Sequence, residues 1–483
     1  MSNALQRDLA RLVSRIERED GPRAAADPYR QRFHLMPPVG WLNDPNGLCR
    51  CGEWYHVFYQ YGPFDPTGGV KHWGHYRSRD LLHWERLPPM LYPDQPWDIH
   101  GVYSGSALVE DGTMYLYYTG NVKHAGDYDY ITAGRGHNTA LAVSRDGVTA
   151  ASNELLLENR DYPADVTCHV RDPKVWAQDG RYYMVLGART RDDRGELLVY
   201  ESADKRHWQH INTLTTPEKF GYMWECPDLF ELDGQWFLVC SPQGVTRQGN
   251  QYQNVYSCGY FPLYGDFRGD YTLGDFRELD CGFDYYAPQS FADGGRRLQF
   301  GWMGMPDAAY TNPTVANGWQ HCLTLPRELS IKDGKIYQKP VKELYALGWK
   351  KEQTPGSPYH WDGRTVLLEV QEIGGMFQEI RIGQEENGLT VHIEDDLAEL
   401  SFLAGGAGTA AAGRETCECG GGRRRRIGRV SGKVDELTVL ADSSIVEVFV
   451  NGGELVFTTR IYLEGRERDL TVSGAGKYSI FTV

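Results

Sequence analysis

No stretch of this chain approaches the roughly 20 consecutive apolar residues that a membrane-spanning helix needs, so a membrane protein is not expected. Positive charge is scarce: Lys and Arg total 50 against 65 Asp and Glu, a formal charge of −15. Gripping nucleic acid requires a cationic footprint, and this balance argues against one. The ten cysteines include two C-x-C pairs, Cys49/Cys51 and Cys417/Cys419, but no C-x2-C pair with a matching partner. A structural metal site is therefore not expected, and scattered thiols in a large chain suit a reducing compartment. The first 20 residues lack the apolar core of a signal peptide. They carry Leu5, Leu9, Leu12, Val13 and Ile16 at helical spacing among charged residues, an amphipathic helix that Gly21-Pro22 should stop. A cytoplasmic protein is the expectation.

What the chain does have is length, aromatic residues and glycine. Its 483 residues imply two to four domains. With 41% hydrophobic and 24% charged residues it can bury a sizeable core, so disorder is excluded as the main state. Thirty Tyr, 13 Trp and 55 Gly point to a β-rich, turn-rich fold. Aromatic rings also stack on sugars.

One pattern recurs five times. It is a short apolar strand, a Gly-containing turn and a second alternating strand, which reads as a β-hairpin. Copies start near residues 44, 106, 172, 228 and 289, with the turns Asp111-Gly112, Asp179-Gly180, Asp233-Gly234 and Asp293-Gly294 in the last four. Outer segments echo one another as well: Ser78–Trp84 and Ser202–Trp208 share S-x-D-x-x-H-W. Repeats of this kind stack around an axis, so an all-β, five-bladed β-propeller is expected over 30–340, after an N-terminal helical extension at 1–29. The period is lost beyond 340. A linker over 341–360, containing Pro355-Gly356-Ser357-Pro358, should lead into a β-sandwich over 361–483. Within that sandwich, Thr365–Val370 and Leu389–Ile393 alternate, and Ser444–Ile461 reads as a hairpin turning at Asn451-Gly452-Gly453. The Gly- and Ala-rich segment 404–426, ending in four arginines, could bind an anion but reads first as a solvated loop.

In a propeller the innermost strands line one central funnel. Asp44 and Asp172 open two of the repeats, and Glu225 precedes Asp228 in another, so three acids from three repeats can converge. Converging carboxylates are electrostatically costly unless used. Metal binding is one use. Hydrolysis of a glycosidic bond is the other, since it needs one carboxyl held protonated and one held ionised. The neighbours favour sugar: Trp41, Trp54, Trp73, Trp176, Trp224 and Trp302 lie near these strands, and Asn43, Gln60, Ser104 and Arg171 could bind hydroxyls.

The segments Trp41-Leu-Asn-Asp-Pro-Asn-Gly47, Tyr103-Ser-Gly-Ser-Ala107, Arg171-Asp-Pro-Lys174 and Glu225-Cys-Pro-Asp228 occur in an order that resembles glycoside hydrolase family 32, the invertases and fructosidases. Asp284-Tyr-Tyr-Ala-Pro-Gln289, Gly301-Trp302, Leu325-Pro-Arg-Glu328 and Asp442–Phe449 extend the likeness over about 30–483. The resemblance implies a five-bladed propeller with a β-sandwich. It makes Asp44 the nucleophile, Glu225 the general acid and base, and Asp172 the transition-state stabiliser. It implies that Trp41, Asn43, Gln60, Trp73, Tyr103, Ser104, Arg171 and Trp302 bind the sugar, and that no metal or other cofactor takes part. The Asp44 and Glu225 carboxyls should then lie about 5–5.5 Å apart, with Glu225 carrying the raised pKa. Cys226 is expected to support Glu225 by packing. Leu42 and Tyr103 depart mildly from the family pattern, which often has Met and Phe there.

The likeness leans toward bacterial members that cleave sucrose-6-phosphate, so a small carbohydrate is the expected partner. Lys71, His72, Lys123, His124, Arg135 and His137 are candidate phosphate ligands. Unphosphorylated sucrose and short fructo-oligosaccharides are the nearest alternatives. An inverting, arabinanase-like furanosidase would place its carboxyls about 6.5–9.5 Å apart. A non-catalytic sugar-binding propeller would have lost one of the three acids.

Overall fold

The computed structural model describes residues 3–352, 358–361, 365–405, 414–465 and 468–483. All five repeats form hairpins. Their first strands are β1 (Gly40–Cys51), β2 (Val102–Glu110), β3 (Val166–Gln178), β4 (Met223–Leu232) and β5 (Tyr286–Asp293). At Asp111-Gly112, Asp179-Gly180 and Asp233-Gly234 both turn residues have positive φ. This is the two-residue turn whose twist matches the flanking strands, which is why Asp-Gly recurs there.

Each first strand begins an antiparallel sheet of four or five strands. The first strands also pack against one another in chain order, β1 beside β2, β2 beside β3, β3 beside β4 and β4 beside β5, and β5 packs in turn beside β1. Trp319–Gln320, from after the fifth hairpin, adds in parallel to the edge of β1. In the echoed outer segments the Asp caps the turn. Asp80 accepts from the amides of Leu82 and His83, and Asp204 from those of Arg206 and His207. Asp146 does the same for Val148 and Thr149, a third copy hidden in the sequence because its His-Trp pair is absent.

Two six-stranded antiparallel sheets form the C-terminal unit, with apolar residues of both facing one core. The hairpin Ile445–Val450/Leu455–Arg460 turns at Asn451-Gly452-Gly453, all with positive φ. Pairing begins earlier than 361: Lys350–Lys351 joins Phe481–Thr482, and Tyr359–Trp361 joins Arg468–Leu470. Pro355-Gly356-Ser357 lies outside the described residues.

Two expectations are corrected. The N-terminal helix, α1 (Ala4–Ala25), does not stop at Gly21-Pro22 but runs through both. The missing proline N–H costs one bond in the last turns. Burial of Val13 and Ala24 offsets that cost, Ala24 against Met36, Val39 and Trp319. Glu17 ties α1 to the first sheet through Tyr61 (3.0 Å) and Arg86 (2.6 Å). The second correction concerns the arginine run. Residues 406–413 lie outside the described residues, but the run itself is no solvated loop. Arg423 is fully buried and grips Asp284 with two bonds of 2.7 and 2.6 Å. Arg425 pairs with Glu399, and Arg426 reaches Asn254 and lies over Phe283. Buried Asp284 needs a counter-charge, and the segment supplies it.

The same device recurs along the seam between the N-terminal sheets and the C-terminal unit. Arg327 pairs with Glu447 (2.6 Å) and Asp280 (3.1 Å), and His34 bridges Asp442 (2.9 Å) and Glu447 (3.1 Å), all fully buried or nearly so. Removing one partner from such a set strands the other charges away from water. Glu447→Ala should therefore lower the unfolding free energy by about 3–5 kcal/mol in denaturant titration. A loss within about 0.5 kcal/mol, the range of a surface change, would show that the seam does not depend on this network.

Candidate active site

The five first strands share a local irregularity. Each loses register with its partner near its start: between Leu42 and Pro45, Tyr103 and Gly105, Arg171 and Lys174, Glu225 and Asp228, and Tyr286 and Gln289. These are β-bulges, which bend a strand and re-aim a side chain. Three contain proline (Pro173, Pro227, Pro288) and a fourth is closed by one (Pro45), which suits a position with no ladder bond to give. In the second strand Gly105 stands in the bulge, and a Cβ there would lie 1.9 Å from the Tyr117 carbonyl. Asp172, Cys226 and Ala287 sit at positive φ. Such strain in a non-glycine residue costs about 1–3 kcal/mol each and clusters at functional sites.

The bulges put two registers of side chains around one cavity. Two residues before the proline stand Asn43, Arg171, Glu225 and Tyr286, and one residue before it stand Asp44, Asp172 and Cys226, all lining the cavity; Ala287, in the last of these places, does not. The cavity, of about 390 Å³, is lined by Asp44, Asp172 and Glu225 together with Trp41, Asn43, Gln60, Tyr103, Arg171 and Trp302. Ser104 lies just beneath and touches Asp44. Trp73 departs from the expectation of sugar contact: it is fully buried behind the wall and donates Nε1–H to the Tyr103 carbonyl at 3.0 Å. Its ring packs against those of Phe58 and Tyr118, so it holds Tyr103 in place. Of the candidate phosphate ligands, Lys71, Arg135 and His137 line the cavity, whereas His72, Lys123 and His124 do not.

Each carboxyl has a different set of partners. Asp44 accepts from Asn43 (3.1 Å) on Oδ1 and from Gln60 (3.0 Å), Ser104 (2.5 Å) and the Cys226 thiol (3.5 Å) on Oδ2. Cys226 thus touches Asp44 directly, and its amide donates to Asp172 Oδ2 at 2.9 Å. Glu225 accepts from Arg171 (2.6 Å) on Oε1 and from the Tyr286 hydroxyl (2.7 Å) on Oε2. Arg171 lies 3.9 Å from Asp172 and is steadied by His169 at 2.8 Å.

Burial raises Asp44, with the Ser104 bond working against it and Glu225 adding to it. Asp172 is pushed up to about 7 by burial, opposed by Arg171 and reinforced by Glu225 and Asp44. Burial thus raises both Asp44 and Asp172. Arg171, bound across Glu225, is what the sequence could not place. Asp172 feels both of the other carboxylates, so its proton is coupled to their charge. Lys71, stacked 4.8 Å over Trp41, is pushed down to about 7 by burial. Among the described residues no cluster of three His, Cys, Asp or Glu has metal-holding geometry, and no helix is long and apolar enough to cross a membrane.

Tyr286 was not singled out from the sequence. Its signal was there: Tyr286-Ala-Pro repeats the position of Glu225-Cys-Pro and Arg171-Asp-Pro. Pro306 and Asp307 also line the rim, from a loop with no repeat to mark it.

Known proteins carry the same arrangement of segments. Residues 34–340 match the glycosyl hydrolases family 32 N-terminal domain, and residues 409–482 match the glycosyl hydrolases family 32 C terminal domain. The chain belongs to glycoside hydrolase family 32. It is 37% identical to a sucrose-6-phosphate hydrolase of Bacillus subtilis, over 97% of this chain and 96% of the relative. It is 36% identical to a raffinose invertase of Escherichia coli, over 93% of each. The solved structure of a sucrose-6-phosphate hydrolase from Lactobacillus gasseri superposes with a TM-score of 0.85 at 28% identity, covering 97% of this chain and 96% of that one.

Glu225→Gln removes a negative charge that raises Asp172. The carboxyl titrating near 7 should then move to lower pH in an infrared titration of the side-chain band. A transition that stays put or climbs would show that the acids do not share one field.

Proposed function

We propose that this glycoside hydrolase is a retaining β-fructofuranosidase that splits sucrose-6-phosphate, or sucrose, into a fructose and a glucose or glucose-6-phosphate unit. One observation carries the reading. Asp44, Asp172 and Glu225, from three different sheets, meet in a single cavity walled by Trp41, Tyr103 and Trp302. Relatives named for sucrose-6-phosphate match the chain nearly end to end, and the raffinose invertase makes unphosphorylated sugar the second substrate class. The finer architecture we assign is a five-bladed propeller, with the hairpin-led sheets as blades, followed by a β-sandwich. Ten free thiols suit action in the reducing cytoplasm.

The chemistry follows from the partners of each acid. Asp44 attacks the anomeric C2 of the fructosyl unit as the C2–O bond to glucose breaks. Glu225 gives its proton to that leaving oxygen. The freed sugar departs, leaving fructose esterified to Asp44. Glu225, now a carboxylate, takes a proton from water as the water oxygen attacks C2 and Asp44 leaves. Two displacements at C2 return the original configuration, which requires the two carboxyls about 5–5.5 Å apart. The donors Asn43, Gln60 and Ser104 stabilise Asp44 as the anion that attack needs. Asp172 holds fructosyl hydroxyls and faces the positive charge that develops on the ring. Arg171 fixes Glu225, and Tyr286 holds its other oxygen.

Two outcomes test this. Glu225→Gln should lower kcat on sucrose or its 6-phosphate by about 10²–10⁴-fold, read as release of reducing sugar. Loss of less than tenfold would remove Glu225 from proton transfer. Ser104→Ala removes a bond that lowers the Asp44 pKa. The acid limb of the kcat/KM profile should therefore shift to higher pH by about one unit, the worth of one hydrogen bond to a charged group. A shift to lower pH, or none, would contradict Asp44 as the group that must be ionised.

A further inference from the structure

The cavity holds more positive charge than its three acids use. Arg171 is committed to Glu225. Arg135, the first residue of the strand Arg135–Ser144, also lines the cavity. Among the described residues its guanidinium has no ion pair or hydrogen bond, and its Nε is buried without a partner. Two residues on, His137 is fully buried, faces the cavity, and has both ring nitrogens unpartnered. Its ring packs 5.8 Å from Tyr103 and 5.5 Å from His169. Leaving buried donors unmet is costly. A cation beside another cation, Arg171, in a partly dry wall adds to that cost. An unmet donor set of this kind is what a bound anion would satisfy.

Position decides which anion. In a retaining hydrolase the nucleophile and the acid flank the scissile bond, so the wall next to the acid is the wall of the leaving sugar. Arg135 belongs to that wall, since it lies beside Arg171, which holds Glu225. Lys71 belongs to the other. It stacks on Trp41 and feels Asp44 and Asp65.

Resting on the hydrolase reading above, we propose that Arg135, backed by the unpartnered imidazole of His137, is the subsite for a phosphate monoester on the leaving sugar. The planar guanidinium offers parallel donors to two phosphate oxygens, and a lysine in its place would offer a point charge. In a protein of net charge −15, such a local exception distinguishes a dianionic sugar from a neutral one. Burial and Arg171 keep His137 neutral, so it contributes one N–H rather than a second charge.

The test is kcat/KM on sucrose-6-phosphate and on sucrose for the wild-type protein, Arg135→Met, Arg135→Lys and Lys71→Met. The wild type should prefer the phosphorylated sugar by tenfold or more. Arg135→Met should lower the ratio of the two constants at least tenfold, mainly through KM for the phosphorylated sugar. Arg135→Lys should recover part of it, and Lys71→Met should leave the ratio within about twofold. Inhibition by glucose-6-phosphate relative to glucose gives a second readout: Arg135→Met should weaken only the phosphorylated inhibitor. A ratio unmoved by Arg135→Met, a fall seen in Lys71→Met instead, or a wild type indifferent to phosphate would each overturn the subsite while leaving the hydrolase intact. A wild type that cleaves neither sugar overturns the hydrolase reading and the subsite with it.

Discussion

Three carboxyls buried around one cavity, with a single guanidinium in direct contact, is the constraint on which this structure turns. Taken alone, such a cluster opposes folding, because each charge is desolvated and repels the others. Every nearby feature answers that cost. Asn43, Gln60, Ser104 and the Cys226 thiol surround Asp44, the Cys226 amide meets Asp172, and Arg171 and Tyr286 divide the oxygens of Glu225. Burial outweighs these donors at Asp172, whose pKa is raised to about 7.

The bulges are how ordinary strands deliver the cluster. In a regular strand, adjacent residues point to opposite faces. Breaking register at the same place in all five first strands lets neighbours such as Asn43 and Asp44, or Arg171 and Asp172, both reach the cavity. Beneath them a second network holds the bulges still: Gln289 donates to the Cys226 and Pro227 carbonyls, and Asp228 accepts from Ser290 and pairs with Lys174. The C-terminal unit reaches the same place. Thr458 holds Asp280, and Arg423 holds Asp284, just ahead of β5. Tyr286, which touches Glu225, follows two residues later. The C-terminal unit thereby fixes the approach to one wall of the cavity.

Much of this was legible in the sequence because it repeats. The Asp-Gly turns gave the hairpins, and the order of Asp44, Asp172 and Glu225 along the repeats gave their convergence. What does not repeat was misread. Gly21-Pro22 looked like a helix stop, since local propensity takes no account of Ala24 packing on Trp319. Arg423 looked solvated, since its partner Asp284 lies 139 residues away. Trp73 looked like a sugar platform and is instead the support of Tyr103. The electrostatics were hidden for the same reason: nothing in Arg171-Asp172 says that the guanidinium turns away from its neighbour to Glu225 on another sheet.

The most direct test of the central claim isolates the covalent step. With Glu225→Gln and β-fructosyl fluoride, whose leaving group needs no acid, the first displacement proceeds and the second lacks its base. Mass spectrometry of the quenched protein should show a gain of one fructosyl unit, carried by the peptide that contains Asp44. No adduct, or an adduct on any other residue, would contradict the account.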